Sequence, residues 1–209
     1  MNVLAVGAHF DDVELGCGGA LAKHVRRGDN VYVYVATVSG YRDPSNHTVR
    51  SNETALEEGR NAMAILGAKE PICGQFKTLE VEFVEQLNVE ILRIVQGKSI
   101  DLVYCHWVGD IHHDHQAVAK ACLHSCRHVP RLLMYRSNWY HSPHNFQENF
   151  YVDISETIDI KERSILAHVS EARRTGQKWI QFFRNEAENA GQRIGVQYAE
   201  VFELLKWME

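Results

Sequence analysis

Long hydrophobic runs and an excess of positive charge are both missing from this sequence. None of its 209 residues belongs to an apolar stretch of about eighteen or more, the length that a transmembrane helix needs. The N-terminal segment lacks the basic residues that begin a signal peptide. The formal net charge is −5, so the chain has no general attraction for nucleic-acid phosphates. We therefore expect a cytoplasmic protein that neither spans a membrane nor binds nucleic acid.

Cysteine is also scarce, and its pattern does not indicate disulfide bonds. The chain has five cysteines, an odd number that favours reduced thiols. Cys122 and Cys126, with His124 and His128 nearby, could form a zinc clip. Their spacing also fits one face of a buried helix, which is the interpretation we favour.

The chain is long enough for one α/β domain spanning residues 1–209. Short apolar runs predict strands at 3–8, 31–38, 72–75, 102–105 and 132–135, with a short extended segment at 151–154. Helical patterns start at Gly16–Gly19 and end near Gly28, then recur at 52–66, 83–96, 114–125, 155–174 and 176–190. Residues 199–205 fit a strand or a helix equally well. The alternation predicts a single Rossmann-like domain, a mostly parallel sheet with helices on both faces.

Two polar clusters follow predicted strands directly. His9–Asp12 follows the first strand, and Asp110–His115 follows the strand at 102–105. Parallel sheets bind ligands at the carboxyl ends of their strands, so the clusters are expected to meet. Two adjacent buried carboxylates are costly without a cation or hydrogen-bond donors. A helix N-terminus would explain one aspartate but not the histidines. Together the clusters can supply two imidazoles and a carboxylate, the ligand set of a catalytic zinc site.

Both clusters resemble the signatures of a known family. The segment 8–19, AHFDDVELGCGG, resembles the N-terminal signature of the PIG-L/LmbE-like zinc-dependent N-acetylglucosaminyl deacetylases, usually Ala-His-Pro-Asp-Asp followed by a Gly-Gly pair. The segment 110–115, DIHHDH, resembles their second signature, Asp-x-His-Pro-Asp-His. Weaker similarity at 58–67, 152–168 and 198–202 extends the resemblance over nearly the whole chain. Two signatures in this order are far more specific than either alone.

The resemblance implies a hydrolase that removes an N-acetyl or other N-acyl group from an amino sugar or its conjugate. The ligands that it implies for a zinc ion are His9, Asp12 and His115. Fe²⁺ or another divalent metal also suits such a set. The resemblance makes Asp11 the general base. It assigns His112 to the oxyanion and to protonation of the leaving amine, and Asp114 to the orientation of a neighbouring histidine.

The sequence departs from the family pattern at three positions. Phe10 and His113 replace the prolines of the two signatures, and His113 could thereby add a substrate contact. Ala55 stands where the family often has a substrate-binding arginine, which leaves Arg50 or Arg60 as the substitute.

The loops at 40–50 and 136–147 are rich in aromatic and basic residues, including Arg50, Arg136 and Trp139. Aromatic faces with hydrogen-bond donors suit a sugar ring, but ordinary surface loops or a contact between subunits of a homo-oligomer fit equally well. Two other functions stay open: an amidase of a non-sugar or thiol-conjugate amide, and a metal-binding protein without turnover. The presence of both Asp11 and His112 argues against the second, because simple metal binding requires neither.

Overall fold

The computed structural model describes residues 1–176 and 178–209. The strands are β1 (Asn2–Gly7), β2 (Asn30–Thr37), β3 (Tyr41–Arg42), β4 (Thr48–Arg50), β5 (Ile72–Phe76), β6 (Leu102–His106), β7 (Arg131–Tyr135), β8 (Phe150–Asp153) and β9 (Ala199–Trp207). The helices are α1 (Asp12–Arg26), α2 (Asn52–Leu66), α3 (Glu85–Gly97), α4 (His113–Ser125), α5 (Ile158–Leu166), α6 (Val169–Thr175) and α7 (Lys178–Ile194). In this part of the chain, no helix combines the length and the apolar character needed to cross a bilayer.

Seven strands form one sheet in the order β5-β2-β1-β6-β7-β9-β8, and β3 pairs with β4 separately. The five strands from β5 to β7 are parallel, whereas β9 runs antiparallel to β7 and to β8. Val3 of β1 lies opposite Val31 of β2 on one side and Leu102 of β6 on the other. The chain proceeds outward from β1 through β2 to β5, then returns to β6 and β7. The carboxyl ends of β1 and β6 therefore flank the crevice where such sheets bind ligands.

Alternate residues of β1 enter two different cores. Val3 and Ala5 pack in a cluster with residues of α1 and α2, whereas Leu4 and Val6 pack in a second cluster with residues of α3 and α4. A strand that is apolar at every position is typical of a parallel sheet covered on both faces. The predicted fold class, α/β with a mostly parallel sheet and helices on both faces, is confirmed.

Helix α1 begins at Asp12, four positions before the glycines that were expected to open it. These glycines lie inside the helix because neighbouring side chains pack directly against its backbone. A Cβ at Gly16 would overlap the Tyr135 ring, and one at Gly19 would come within 2.8 Å of Ile154. The glycines therefore permit close packing, and the helix start lies within the first polar cluster.

In two further segments the structure differs from the sequence-based predictions, and in a third it decides between two alternatives. The loop at 40–50 contains the β3–β4 pair, and residues 199–205 belong to strand β9. The helix predicted over 155–174 is divided into α5 and α6, with the fully buried His168 between them. His168 Nε2 lies 2.8 Å from Glu14 Oε1 of α1, an inward contact that a continuous helical pattern does not reveal.

Candidate active site

The first polar cluster leaves β1 in a sharp turn that leads into α1. Asp11 has φ 122°, a backbone conformation that is unfavourable for a residue with a Cβ. Two side chains hold this turn from outside. The Phe10 amide donates to Ser39 Oγ at 2.9 Å, and Arg50 Nη1 donates to the Phe10 carbonyl at 3.0 Å. The surroundings of the turn thus stabilise the conformation that carries His9 and Asp11.

Asp12 lies between two histidines that come from different elements. Its Oδ2 is 3.5 Å from His9 Nδ1, and its Oδ1 is 3.2 Å from His115 Nε2 of α4. The far nitrogen of each ring meets a second carboxylate. His9 Nε2 is 2.8 Å from Asp114 Oδ2, and His115 Nδ1 is 3.1 Å from Asp110 Oδ2. A carboxylate on the far nitrogen fixes the ring orientation and makes the near nitrogen a better donor to a cation.

These contacts shift the pKa values of the histidines upward. Burial by itself lowers the pKa of His9, but hydrogen bonds to Asp114 and Asp12 outweigh it and raise that pKa to about 9. Burial also lowers the pKa of His115. The charge of Asp12 and a hydrogen bond to Asp110 outweigh this effect and raise the pKa of His115 to about 10. The carboxylates therefore attract positive charge to these nitrogens, and either protons or a metal cation can supply it.

His106 and Ser137 also contact Asp12, although sequence analysis singled out neither. His106, at the end of β6, is fully buried, and its Nε2 lies 3.1 Å from Asp12 Oδ2. Its ring stacks on that of His115 with 4.0 Å between the centroids. Ser137 Oγ donates to Asp12 Oδ1 at 2.9 Å. The signal for His106 was its place at a strand end, while nothing near Ser137 in the sequence marks it.

In the described part of the chain, two groups of side chains bring possible ligand atoms within 4.8 Å of one another. One group is His9, His112 and His115, and the other is Asp12, His106 and His115. His115 belongs to both groups. Asp12 joins the two groups, since it lies 3.5 Å from His9 and 3.2 Å from His115 at the carboxyl ends of β1 and β6.

Asp11 lines the cavity beside a buried arginine. Its Oδ2 lies 3.7 Å from Arg50 Nη1, and Arg50 Nη2 is 3.0 Å from Glu58 Oε2 and 2.9 Å from His168 Nδ1. Burial and the charge of Asp12 raise the pKa of Asp11 to about 7, and Arg50 only partly offsets them. Asp11 is therefore a carboxyl group that can gain and lose a proton near neutral pH.

The structure also distinguishes the two candidate arginines. Arg50 is 3% exposed, lies against Glu58 and lines the pocket above the histidines. Arg60 instead pairs with Glu70 at 2.5 Å, and both side chains are more than half exposed. Arg50 is thus the arginine that occupies the site.

His112 is the N-cap of α4, and its Nδ1 accepts a hydrogen bond from the Asp114 amide at 3.2 Å. Because Nδ1 is the acceptor, the neutral ring carries its proton on Nε2. Burial and the charges of His115 and His9 lower the pKa of His112 to about 4. His112 is therefore a neutral hydrogen-bond donor.

A cavity of about 300 Å³ lies over these groups. Part of its wall is a polar group of three residues from β3 and α6. Tyr41 donates to Glu171 Oε1 at 2.6 Å, and Arg174 binds Glu171 Oε2 at 2.6 and 2.8 Å. The Arg174 guanidinium lies 6.0 Å from the Trp179 ring, which also lines the cavity. The wall thus combines fixed polar groups with an aromatic face.

The four residues predicted to bind substrate lie in different places. Arg50 lines this cavity. Trp139 packs in an aromatic cluster with Trp179, 6.4 Å between the ring centroids. Arg136 lines a second cavity of about 80 Å³, and the exposed His113 lies at a third cavity on the outer side of α4. Of the four residues, Arg50 is the one that lines the cavity above the histidines, and substrate binding by any of them stays a prediction.

Comparison with known proteins gives consistent results. The model of the PIG-L family, described as GlcNAc-PI de-N-acetylase, matches residues 4–126. The uncharacterized deacetylase YaiS of Escherichia coli K12 is 35% identical in an alignment 148 positions long that covers 66% of this chain and 76% of that protein. The diacetylchitobiose deacetylase of Thermococcus kodakarensis is 26% identical in an alignment 217 positions long, gaps included, that covers 95% of this chain and 81% of that protein.

The fold is similar to that of a conserved protein of Thermus thermophilus. The TM-score is 0.84 at 24% identity, covering 99% of this chain and 95% of the other. The family match includes both polar clusters of the site, so the resemblance noted in the sequence is confirmed. The chain belongs to the PIG-L family.

Proposed function

We propose that the chain removes the acetyl group from an N-acetylated amino sugar with a divalent metal, zinc, held by His9, Asp12 and His115. One observation carries the proposal: both imidazoles turn one nitrogen to Asp12 and have the other bound to a carboxylate. The names of the two relatives, a deacetylase and a diacetylchitobiose deacetylase, support the reaction and the substrate class.

Hydrogen bonding favours these three ligands over the other histidines. His106 Nε2 already has hydrogen-bond partners within the chain, since it lies 3.1 Å from both the Ala8 amide nitrogen and Asp12 Oδ2. The Asp114 amide likewise donates to His112 Nδ1. Two imidazoles and one carboxylate with open positions suit Zn²⁺, and also Fe²⁺. Such an ion polarises an amide carbonyl and acidifies a water molecule.

The remaining groups supply the proton transfers. Asp11 takes the proton of the attacking water, because it lies next to Asp12 and faces the cavity. The Nε2–H of His112 donates to the oxygen of the amide as negative charge develops there. Since His112 is neutral, Asp11 is the group that returns the proton to the leaving amine. The products are acetate and the free amino sugar.

The size of the cavity suits one small sugar unit. Its volume of about 300 Å³ lies at the lower end of the range for small-molecule pockets. Hydroxyl groups can exchange hydrogen bonds with Tyr41, Glu171 and Arg174, and the ring of Trp179 can cover an apolar sugar face. An amidase of a non-sugar substrate would not need this combination.

The test pairs metal analysis with a screen for release of primary amine from N-acetylated sugars and non-sugar amides. The wild-type chain should bind about one divalent ion and release amine from a sugar substrate. His115→Ala should lose both the metal and the activity. His113→Ala is the matched control and should retain both, because His113 precedes His115 by two positions but lies at a different cavity. Full activity of wild type at negligible metal content would contradict the proposal.

A further inference from the structure

A tight turn at the mouth of the cavity contains a residue poorly suited to its backbone. The Glu80 amide donates to the Lys77 carbonyl at 3.1 Å, so Leu79 is the second of the two central residues. Leu79 has φ 68°, in the left-handed region. Glycine or asparagine adopts this conformation readily, whereas leucine does so at a cost.

Packing within the chain does not offset this cost. The Leu79 residue is 66% exposed, so little of its apolar surface is removed from water. The same side chain lines the cavity above His9 and His115. For the folded chain alone, leucine is therefore a poorer choice at this position than asparagine, and its apolar surface is available to a ligand.

The turn is joined directly to the site. The Leu79 amide donates to Asp114 Oδ2 at 2.7 Å, and the Val81 amide donates to Asp114 Oδ1 at 3.1 Å. The same Oδ2 binds His9 Nε2 at 2.8 Å. One buried carboxylate thus fixes both the ring of His9 and the position of Leu79. The distance between the apolar side chain and the reacting centre is set by this shared anchor.

We propose that Leu79 is a specificity-determining residue that supplies an apolar contact to the ring of the bound amino sugar. The polar group Tyr41–Glu171–Arg174 lines the same cavity from β3 and α6 and would bind the hydroxyl groups. A sugar ring has an apolar face as well as polar edges, so the two parts of the lining are complementary to it. The identity of the ligand as an amino sugar rests on the proposed function. The apolar contact itself is inferred from the backbone conformation and the exposure of Leu79.

The experiment compares Leu79→Asn with wild type in two assays. One is hydrolysis of an N-acetylglucosaminide, and the other is calorimetric binding of glucosamine, which is not hydrolysed. Asparagine suits the backbone but removes the apolar surface. We expect KM and the Kd for glucosamine to rise about 5- to 10-fold, the effect of losing part of one buried side chain. The value of kcat should stay within about twofold, the metal content should be unchanged, and Tm should equal or exceed that of wild type.

Two further variants serve as a conservative replacement and as a control. Leu79→Met retains apolar surface and should restore KM to within about twofold of wild type. Leu205→Asn removes a 52% exposed leucine from β9, away from the cavity, and should change neither constant. Unchanged KM and Kd in Leu79→Asn would overturn the role of Leu79. A rise in KM and Kd that is accompanied by a fall in Tm would overturn it as well. If the wild type binds glucosamine but hydrolyses no substrate, the proposed function is overturned. The Kd of Leu79→Asn for glucosamine then still tests the role of Leu79. A wild type that does neither overturns both.

Discussion

Two groups of buried charges contact helix α1, and they are built differently. Away from the active site, Lys161 Nζ lies 2.5 Å from Glu200 Oε1, and both residues are at most 5% exposed. Lys161 also donates to the Leu15 carbonyl at 2.7 Å. Glu200 accepts from the amides of Gly19 and Ala20 at 2.9 and 2.7 Å. This pair balances its charge and uses its remaining hydrogen-bonding capacity on the helix backbone.

The buried polar groups of the candidate active site are not fully paired in this way. Among the described residues, four buried side-chain atoms have no hydrogen-bond partner: Glu14 Oε2, Arg50 Nε, Thr78 Oγ1 and His106 Nδ1. Arg50 and Thr78 line the cavity, His106 contacts Asp12, and Glu14 is joined to Arg50 through His168. Most buried polar atoms in proteins are paired, so each exception requires an explanation. The comparison shows that the unpaired buried polar atoms gather at and around the candidate site, whereas the Lys161–Glu200 pair has its charges matched.

The largest expected effect separates the two neighbouring aspartates. Asp11→Asn should lower kcat by about 10² to 10⁴, or roughly 3 to 5.5 kcal/mol, because the amide cannot accept the proton of the attacking water. Its metal content should stay near that of wild type. Asp12→Asn should lose metal, since a neutral amide is a poorer ligand. Metal analysis with single-turnover kinetics checks both, and metal loss confined to Asp11→Asn would reverse the two roles.

The second prediction concerns the balanced pair. Lys161→Met leaves the Glu200 carboxylate buried without its cation, which should lower the free energy of unfolding by about 3–5 kcal/mol. The double variant Lys161→Met/Glu200→Gln should recover part of the loss, because the uncompensated charge is removed. Urea unfolding measures both.

The matched control for this pair is an exposed ion pair. Arg26 lies 3.4 Å from Glu156, with side chains 50% and 89% exposed, so Arg26→Met should cost less than about 1 kcal/mol. Equal losses for Lys161→Met and Arg26→Met would remove the distinction between buried and exposed pairs.

The third prediction tests the aromatic cluster behind the cavity. Trp139→Ala should lower the free energy of unfolding by roughly 2–3 kcal/mol, because the partly buried ring packs against Phe182 and Phe183. Trp179→Ala removes a ring that lines the cavity and should raise KM more than Trp139→Ala does. The reverse order of KM effects would return Trp139 to the substrate contact expected from the sequence.

The fold and the main groups of the site could be predicted because they are local in sequence. His9–Asp12 and Asp110–His115 are continuous polar segments directly after apolar strands, and parallel pairing brings strand ends together. The convergence brings Asp114 to His9, whereas Asp110 and His115 belong to one segment and meet within it. Continuous segments carry this information because the sheet fixes where they end.

The rest of the site depends on packing that no short segment reveals. His106, Ser137 and Glu171 are single polar residues whose contacts come from distant elements. Loop composition indicated polar and aromatic residues but not the direction of each side chain. Trp139 packs with Phe182 and Phe183 and is not among the residues that line the cavity. The left-handed backbone of Asp11 is likewise set by its surroundings, since aspartate does not require it.

The smallest expected effect concerns Arg136, which the sequence placed in the substrate site. Its Nη2 donates to the Tyr140 carbonyl at 3.2 Å, and its side chain lines the second cavity beside the Lys161–Glu200 pair. Tyr140 lines the active-site cavity, so this exposed hydrogen bond links Arg136 to that cavity, and Leu15 and Asn138 line both cavities. Such a bond contributes about 0.5–1.5 kcal/mol at most, and only part of that acts on substrate. Arg136→Ala should therefore change kcat/KM by no more than about threefold, with metal content unchanged. A tenfold loss of kcat/KM would show that the second cavity takes part in substrate binding. The Lys161–Glu200 pair beside that cavity could then no longer be regarded as separate from the active site.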